Sequence, residues 1–532
     1  MTRPATTGAA RAVLPVVLAA LALVVAAVPA LNVALPDVAA GTGATQSELQ
    51  WIVDAYALAF AGLLLPAGAL GDRYGRKPLL VLGLVVFGVG SAAGALCVLP
   101  GPLIAARAVM GVGAAMVMPT TLSIITTSFP VQQRARAVGA WIGVAGAGAI
   151  LGLLTSGLLL ERFGWSSVFW LNALLASGVA LTALRHVPNS RDTAPPAVDY
   201  AGGMLITAAL TGVVFGAIEG PELGWFDPLT LIAFGIGASA SVLWVLWSLH
   251  TSSPLLDPRL FLRPQFTAGV LSIGAQFFVF FGLVFLVMQY VQLVLDYSPL
   301  QAGLALLPMA VTLGGLSRNA PRLAQHLTRR TMSVTGVLLI AAGVLVLSLL
   351  DRSSPYCLLL TGILPVGARM ALSTAPATTG IVAALPASKQ GVASAVNDAA
   401  REVGGTLGIA VLGSILNAAY RSGLSDTVSS GPVGQVRAPQ DSLPAALAIA
   451  RRLGEPGAAL ARAAQDSFAH GMALALLVSA ILLLLVALVL AALHRVNSSP
   501  PAVRRPGRRH EAPAPAHRAP PEALPAAARS RD

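Results

Sequence analysis

The chain has 532 residues, of which 56% are hydrophobic and only 11% charged, with a formal net charge of +12. Water-soluble domains carry roughly 25% charged residues, so a soluble fold is excluded and the relevant solvent is a bilayer. The positive charge falls mainly in short loops between apolar runs, where it orients a membrane protein; nucleic acid is not the partner it implies.

Apolar runs lie at roughly 12–35, 48–70, 78–99, 101–126, 137–160, 164–185, 200–219, 228–249, 265–293, 298–317, 331–350, 355–385, 398–420 and 467–493. With ~20 residues needed per crossing, the sequence predicts an all-α polytopic membrane protein of about fourteen spans. Arg73, Arg76 and Lys77, then Arg134 and Arg136, Arg185 and Arg191, Arg259 and Arg263, and Arg318 through Arg330 fall on one face. The alternating loops at 36–47, 97–101 and 220–227 contain no Lys or Arg. The positive-inside rule makes the basic face cytoplasmic, with both termini on it. The first run is too long for a cleavable signal and continues directly into Asn32-Val33-Ala34-Leu35-Pro36. Cys97 and Cys357 are far apart in apolar runs and form neither a disulfide framework nor a metal site.

The organisation follows from these runs. Residues 1–191 form a first bundle of six helices, 192–264 an inserted helix pair with its linker, and 265–493 a second bundle of six. The second bundle carries an outer loop at 421–466, in which Leu443, Ala446, Leu447 and Ala450 recur at helical spacing. This segment is either a surface-lying helix or a solvated connection. The tail at 494–532 is rich in Pro, Ala and Arg, lacks apolar periodicity, and is expected to be disordered.

Charged and aromatic residues inside the spans are the functional candidates, because intramembrane charge is costly. Asp54 in the second span and Arg107 in the fourth both lie about six residues from the same face, roughly 9 Å deep at 1.5 Å per residue. They are read as a proton-loading carboxylate sensed by a cation; a helix-capping role for Asp54 and carbonyl bonding by Arg107 are the structural alternatives. Between the second and third spans runs Gly68-Ala69-Leu70-Gly71-Asp72-Arg73-Tyr74-Gly75-Arg76-Lys77. Its glycines permit a tight reversal, and Asp72 is an acid among bases at a helix end. Gly143, Gly146, Gly148, Gly152 and Gly157 recur in the fifth span, which suits close helix packing and, equally, rocking bundles. In the ninth span Phe277, Phe281, Phe285 and Met288 fall near one helical face. That face suits either flat lipophilic or cationic substrates or plain lipid packing. Arg369 sits mid-span, read either as paired with Asp398 or Glu402 or as a cation facing an anionic cargo.

The loop from Gly68 to Lys77 resembles the signature between helices two and three of the major facilitator superfamily. Further strings resemble that superfamily's fourteen-helix drug:proton antiporters. They are Asn32-Val33-Ala34-Leu35-Pro36, Trp51-Ile52-Val53-Asp54-Ala55-Tyr56, the run from Arg107 to Ala115, the run from Tyr297 to Gly303, Pro376-Ala377-Thr378, and the run from Asn397 to Gly405. The resemblance covers nearly all of 12–493. It implies two pseudo-symmetric six-helix bundles rocking about a central cavity, with an extra helix pair between them. It implies export of small hydrophobic or cationic drugs, driven by the proton gradient without a bound cofactor, by a monomer in the cytoplasmic membrane. It assigns gating to Gly68, Gly71, Asp72, Arg73, Gly75, Arg76 and Lys77 and an antiporter signature to Gly148, Gly152 and Gly157, while the candidate substrate cavity, the aromatic face with Arg369, is read from the residues themselves, Arg369 standing where the family usually has small residues. The sequence departs from the family at Ala27 and Thr379, where acids are usual, and at Leu153, where proline follows the glycine. In the second-half copy of the loop, Gln325 stands for the acid and Thr328 for a glycine. A narrow exporter of a self-made compound, and a non-transporting sensor or decayed paralogue, are the rival readings. No nucleotide-binding loop is present, and no enzyme constellation is seen.

Overall fold

The computed structural model describes residues 7–191, 199–317, 329–385, 390–429, 438–455 and 457–496, and these are overwhelmingly helical. The second copy of the loop motif at 322–328 and the tail from Ser498 lie outside the described residues. The first half comprises α1 (Thr7–Thr42), α2 (Gln46–Tyr74), α3 (Arg76–Ala95), α4 (Pro100–Ser128), α5 (Val131–Leu160) and α6 (Ser166–His186). Then come α7 (Tyr200–Leu223) and α8 (Pro228–His250), and a 3₁₀ turn at Pro258–Leu262. The second half comprises α9 (Pro264–Leu293), α10 (Pro299–Ser317), α11 (Arg329–Leu347), α12 (Tyr356–Ala383), α13 (Gln390–Ser429) and α16 (Gly457–Val496). Two short helices, α14 (Ala438–Asp441) and α15 (Leu443–Leu453), precede α16.

Twelve described helices are long and apolar enough to cross a membrane, and α5 and α11 add the shorter apolar stretches Ile150–Leu160 and Val334–Leu347. Helices dominate because a backbone in hydrocarbon must satisfy its own polar groups. The ends are secured by side chains. Thr45 and Glu48 form a reciprocal capping box at the start of α2. Asp199 caps α7 by accepting from Gly202 N at 2.8 Å, and also accepts from Trp247 Nε1 of α8 at 2.9 Å, so one carboxylate pins both ends of the inserted hairpin. On the loop before α12, the Tyr290 hydroxyl donates to the Asp351 carbonyl at 2.6 Å. The hydroxyls of Ser354 and Ser353 hold the Asp351 carboxyl below its usual range.

Packing within each half relies on absent side chains. In the first half, Gly113 of α4 lies against the α3 backbone at Gly83 and Phe87, and Gly152 of α5 against Ala26 of α1. In the second, Gly404 and Gly408 of α13 press on the backbone of α9 at Gly274 and Phe278. Small residues let helix axes approach where no hydrophobic drive joins helices in lipid. The segment before α16 folds as α15, with Leu443, Ala446 and Ala450 buried against α16 and the end of α1. The helices overrun the apolar stretches at their ends, most of all α13 and α16 at 40 residues each.

All hydrogen bonds between the two halves, among the described residues, lie at the face opposite the basic loops. Gln292 of α9 donates to Val33 O at 3.0 Å, Ser298 to Glu161 at 2.5 Å, and Asn417 of α13 to Ser47 of α2 at 3.2 Å. Gly157 of α5 packs on the backbone of Pro299 and Leu300, and Gly303 of α10 on the Leu153 carbonyl. The halves are therefore closed at that face. Introducing a branched side chain at one of the tightest backbone contacts within the second half, Gly408→Val against the Phe278 carbonyl, is expected to cost about 1–3 kcal/mol as overpacking. A clear drop in the melting temperature of the detergent-purified protein checks this, with the exposed Gly235→Ala, which meets nothing nearby, as the unaffected control.

Candidate functional site

The seam where the halves meet is built from α2, α7 and α13. Gln50 of α2 occupies the space left by Gly413 of α13. The Ser414 hydroxyl reaches Gln50 Oε1 at 3.4 Å and the Ala217 carbonyl of α7 at 2.5 Å. Trp51 donates from Nε1 to Glu219 of α7 at 2.6 Å and stacks obliquely on Phe215 at 5.7 Å. Glu222, also on α7, pairs with Arg421 of α13 at 3.5 Å. A buried apolar cluster then joins Leu58 and Ala61 of α2, Leu210, Val214, Ala217 and Ile218 of α7, and Ala410 of α13. The inserted helix α7 runs along α2 for most of its length, from Gly203 against Pro66 to Glu219 against Trp51. It touches α13 only at the seam.

Asp54 lies on this same face of α2. Gln50, one turn earlier, and Leu58, one turn later, both point into the seam, and residues four apart share a helix face. Asp54 is fully buried, and neither carboxylate oxygen finds a hydrogen-bond donor among the described residues.

Arg107 lies elsewhere. It is 1% exposed, donates from Nε to the Ile52 carbonyl at 3.0 Å, and stacks over the Tyr56 ring with 4.3 Å to the centroid. The Tyr56 hydroxyl continues to the Val24 carbonyl of α1 at 3.2 Å, so one cation ties α4, α2 and α1 together. At 100° per residue, Ile52 and Asp54 are roughly 200° apart around α2. The structure thus places Asp54 and Arg107 at similar depth on opposite faces of the helix, and they form no ion pair. The expectation that Arg107 senses Asp54 directly is replaced by two separate sites: carbonyl and ring binding by Arg107 within the first half, and a lone carboxylate at the seam.

The loop residues are brought together at the basic face. Gly75 turns at φ +117°, a conformation that suits glycine, and lies against Asn189. Asp72 accepts from Arg76 at 2.7 Å across that turn. Arg76 N donates to Ser190 O at 2.9 Å, and Lys77 Nζ to Leu184 O at 2.7 Å, which tie the loop to the end of α6. Gly68 and Gly71 face Pro119 and Thr120 of α4, and Arg73 lies over the Tyr74 ring at 5.7 Å. Here Asp72 engages its own loop.

Of the α5 glycines, Gly148 and Gly152 pack on α1, whereas Gly157 contacts the other half. The run remains helical through Leu153, and the Ser156 hydroxyl donates to the Ala30 carbonyl at 2.7 Å. On α9 the aromatic residues divide. Phe285 and Met288 are completely enclosed and line no open space. Phe277 and Phe281 are half-buried, in oblique contact with each other at 5.8 Å. Arg401 of α13 stacks on Phe277 at 4.7 Å and pairs with Asp398 at 3.6 Å. Asp398 is thereby paired within its own helix. Arg369 is half-buried and forms no ion pair among the described residues. Sequence reasoning missed the Arg401–Phe277 stack, the Ser414 junction and the Trp51–Glu219 bond. The charged pair Arg401-Glu402 inside an apolar run, and two acids near the end of α7, were the available signals.

Residues 17–409 match the model of the Major Facilitator Superfamily. The chain belongs to that superfamily. It is 33% identical over 460 residues to the multidrug efflux pump LfrA of Mycolicibacterium smegmatis, covering 86% of this chain and 90% of that protein. It is 32% identical to the multidrug resistance protein Stp of Mycobacterium tuberculosis, covering 73% and 72%, and 35% identical to the puromycin resistance protein pur8 of Streptomyces alboniger, covering 78% and 83%. Among solved structures, a bacterial homologue of the human lysosomal transporter Spinster superposes with a TM-score of 0.65 at 16% identity, covering 92% of this chain and 98% of that one. At that identity the likeness establishes the fold.

The Arg107 arrangement generates a prediction. Removing the guanidinium in Arg107→Ala leaves the Ile52 carbonyl and the Tyr56 face without their cation. Loss of a charged hydrogen bond and a desolvated ring contact is expected to cost about 2–4 kcal/mol, read as a lower thermal midpoint. Arg107→Lys recovers only part of it, because an ammonium cannot present a planar fork and stack at once.

Proposed function

We propose that this superfamily member exports small hydrophobic or cationic compounds across the cytoplasmic membrane in exchange for protons. The basic face and both termini are cytoplasmic in this reading, and the protein acts as a monomer powered by the proton gradient, with no bound cofactor. Similarity to relatives named for multidrug efflux and antibiotic resistance supports the export class.

The observation that carries the mechanism is the Asp54 carboxylate, fully buried and without a donor at the seam between halves. A bare charge at that depth costs several kcal/mol. Closing the seam around an ionised Asp54 is therefore opposed, and closing it around a protonated one is not. Opening the seam to outside water lets Asp54 take a proton, closure carries it inward, and its release to the basic-face side while the seam is closed restores a buried charge that drives the next opening. Substrate enters from the basic face while the seam is closed. Asp72, now held by Arg76, exchanges that partner for the second half when the basic face closes. Arg107 holds α1, α2 and α4 as one body during the movement.

Arg369 favours a second, narrower reading. A half-buried cation without an ion pair among the described residues suits an anionic cargo, as for an exporter of one self-made metabolite.

Inverted vesicles with an imposed proton gradient test both. Gradient-dependent uptake of lipophilic dyes and drugs by the wild type, reduced at least ten-fold in Asp54→Asn, is expected. Uptake unchanged in Asp54→Asn sinks the assignment of Asp54. A wild type that moves no compound in a broad panel but moves an anionic one, lost in Arg369→Gln, favours the narrow reading. Transport of nothing at all leaves a non-transporting role.

A further inference from the structure

The inserted hairpin leaves an open apolar groove on the membrane side of the first half. It lies between α2, α7 and α8, has a volume of about 660 Å³, and is walled by residues including Leu63, Pro66, Met204, Ala208, Phe215 and Ile232. Met204 is 68% and Ile232 57% exposed, so the groove opens toward lipid and its occupant comes from the bilayer. Along its length two threonine hydroxyls border it, from Thr207 and Thr211. Both donate to carbonyls of their own helix, at 2.9 and 2.7 Å, so neither hydroxyl offers its proton to an occupant. The groove recognises hydrocarbon.

Its two ends differ. Along α7 the lining runs from Tyr200 to Phe215, roughly 22 Å at 1.5 Å per residue. Half the hydrocarbon core of a bilayer is roughly 15 Å, so the slot accommodates a full acyl chain lengthwise. At the basic face the slot ends at Tyr200, which lies beside Tyr74 and within the field of Arg73. Arg73 stacks on Tyr74 and forms no ion pair among the described residues. A cation and two phenol hydroxyls at the headgroup level, above a hydrocarbon slot, complement an amphiphile with an anionic head.

We propose that this groove is a binding site for an anionic phospholipid, one acyl chain lying between α2, α7 and α8 and the phosphate resting against Arg73, Tyr74 and Tyr200. The groove touches the seam only at Phe215, which stacks on Trp51 there, and the proposal does not depend on the transport reading. It gives the inserted helix pair a lipid-filled joint with the first half.

Native mass spectrometry of the purified full chain tests it, after equilibration with mixed vesicles of phosphatidylglycerol and phosphatidylcholine. The wild type is expected to retain phosphatidylglycerol over phosphatidylcholine by several-fold. Ala208→Phe, which fills the slot, loses that retained lipid, while Ala208→Ser keeps it and controls for folding. Arg73→Gln keeps a bound lipid but loses the headgroup preference. Equal retention of phosphatidylglycerol by wild type and Ala208→Phe overturns the site. Equal retention of the two lipids by the wild type overturns the anionic headgroup. Displacement of the lipid from the wild type by a lipophilic cationic dye reassigns the groove to substrate.

Discussion

The Ser414 hydroxyl stands where three helices from different parts of the chain converge, within reach of Gln50 on α2 and the Ala217 carbonyl on α7. In hydrocarbon a polar group must find its partner in protein, and at this seam Gln50 meets Ser414 and Ser47 meets Asn417 across the halves, whereas Gln50 Nε2, Asn417 Oδ1 and the Asp54 carboxylate find none among the described residues. Asn417 and Ser47 repeat the arrangement one turn outward, and Gly413 gives Gln50 room to do so. The bonds are few and borne by side chains, and the glycines beside them keep the surfaces smooth. Such an interface holds in one state and parts without unfolding either half. The inserted helix α7 belongs mechanically to α2, yet ends on α13 through Ala217 and Glu222. It extends the seam and adds bonds that must break whenever the halves separate.

The buried charges of α2 and α4 divide the labour by azimuth. Arg107 faces inward to the first half and satisfies a carbonyl and a ring there. A cation so enclosed fixes helices relative to one another, because moving it away strands a buried charge. Asp54, on the other side of α2, has no such partner among the described residues and faces the seam between the halves. In the proposed cycle, a carboxylate sensitive to seam closure would couple protonation to conformation through differential solvation alone.

Much of this was legible in the sequence, and what was not has a geometric cause. Run length and loop charge locate the membrane helices and the basic face, since both follow from bilayer thickness and the cost of moving charge. The helices outrun the apolar stretches because their ends leave the hydrocarbon, so α2 extends to Gln46 and Tyr74 around an apolar run of 48–70. Depth was readable by counting residues: Asp54 and Arg107 do lie at similar levels. Azimuth was not. In a helix that is apolar on every side, no periodicity marks which face meets which neighbour. The face of α2 turned to Arg107 is set by the close approach of Gly111 to Tyr56, a contact between distant segments. The same limit explains the α9 aromatics. Spacing groups Phe277, Phe281, Phe285 and Met288 on one face, but the packing encloses Phe285 and Met288 completely and leaves Phe277 and Phe281, which meet Arg401 and Gly405 of α13, half-open. Nor does any local signal reveal that α7 reaches α13.

The central claim is that the two halves, closed at the face opposite the basic loops, part there during function. Spin labels at Arg162→Cys, after α5, and Ser353→Cys, before α12, report the distance across that face in protein whose two native cysteines have been replaced. Double electron–electron resonance in lipid nanodiscs then measures it at neutral and acidic pH, with and without a lipophilic cationic dye. The account predicts two populations, the shorter matching the closed seam, with their ratio shifting with pH and dye and losing its pH dependence in Asp54→Asn. A single short distance under every condition would contradict it.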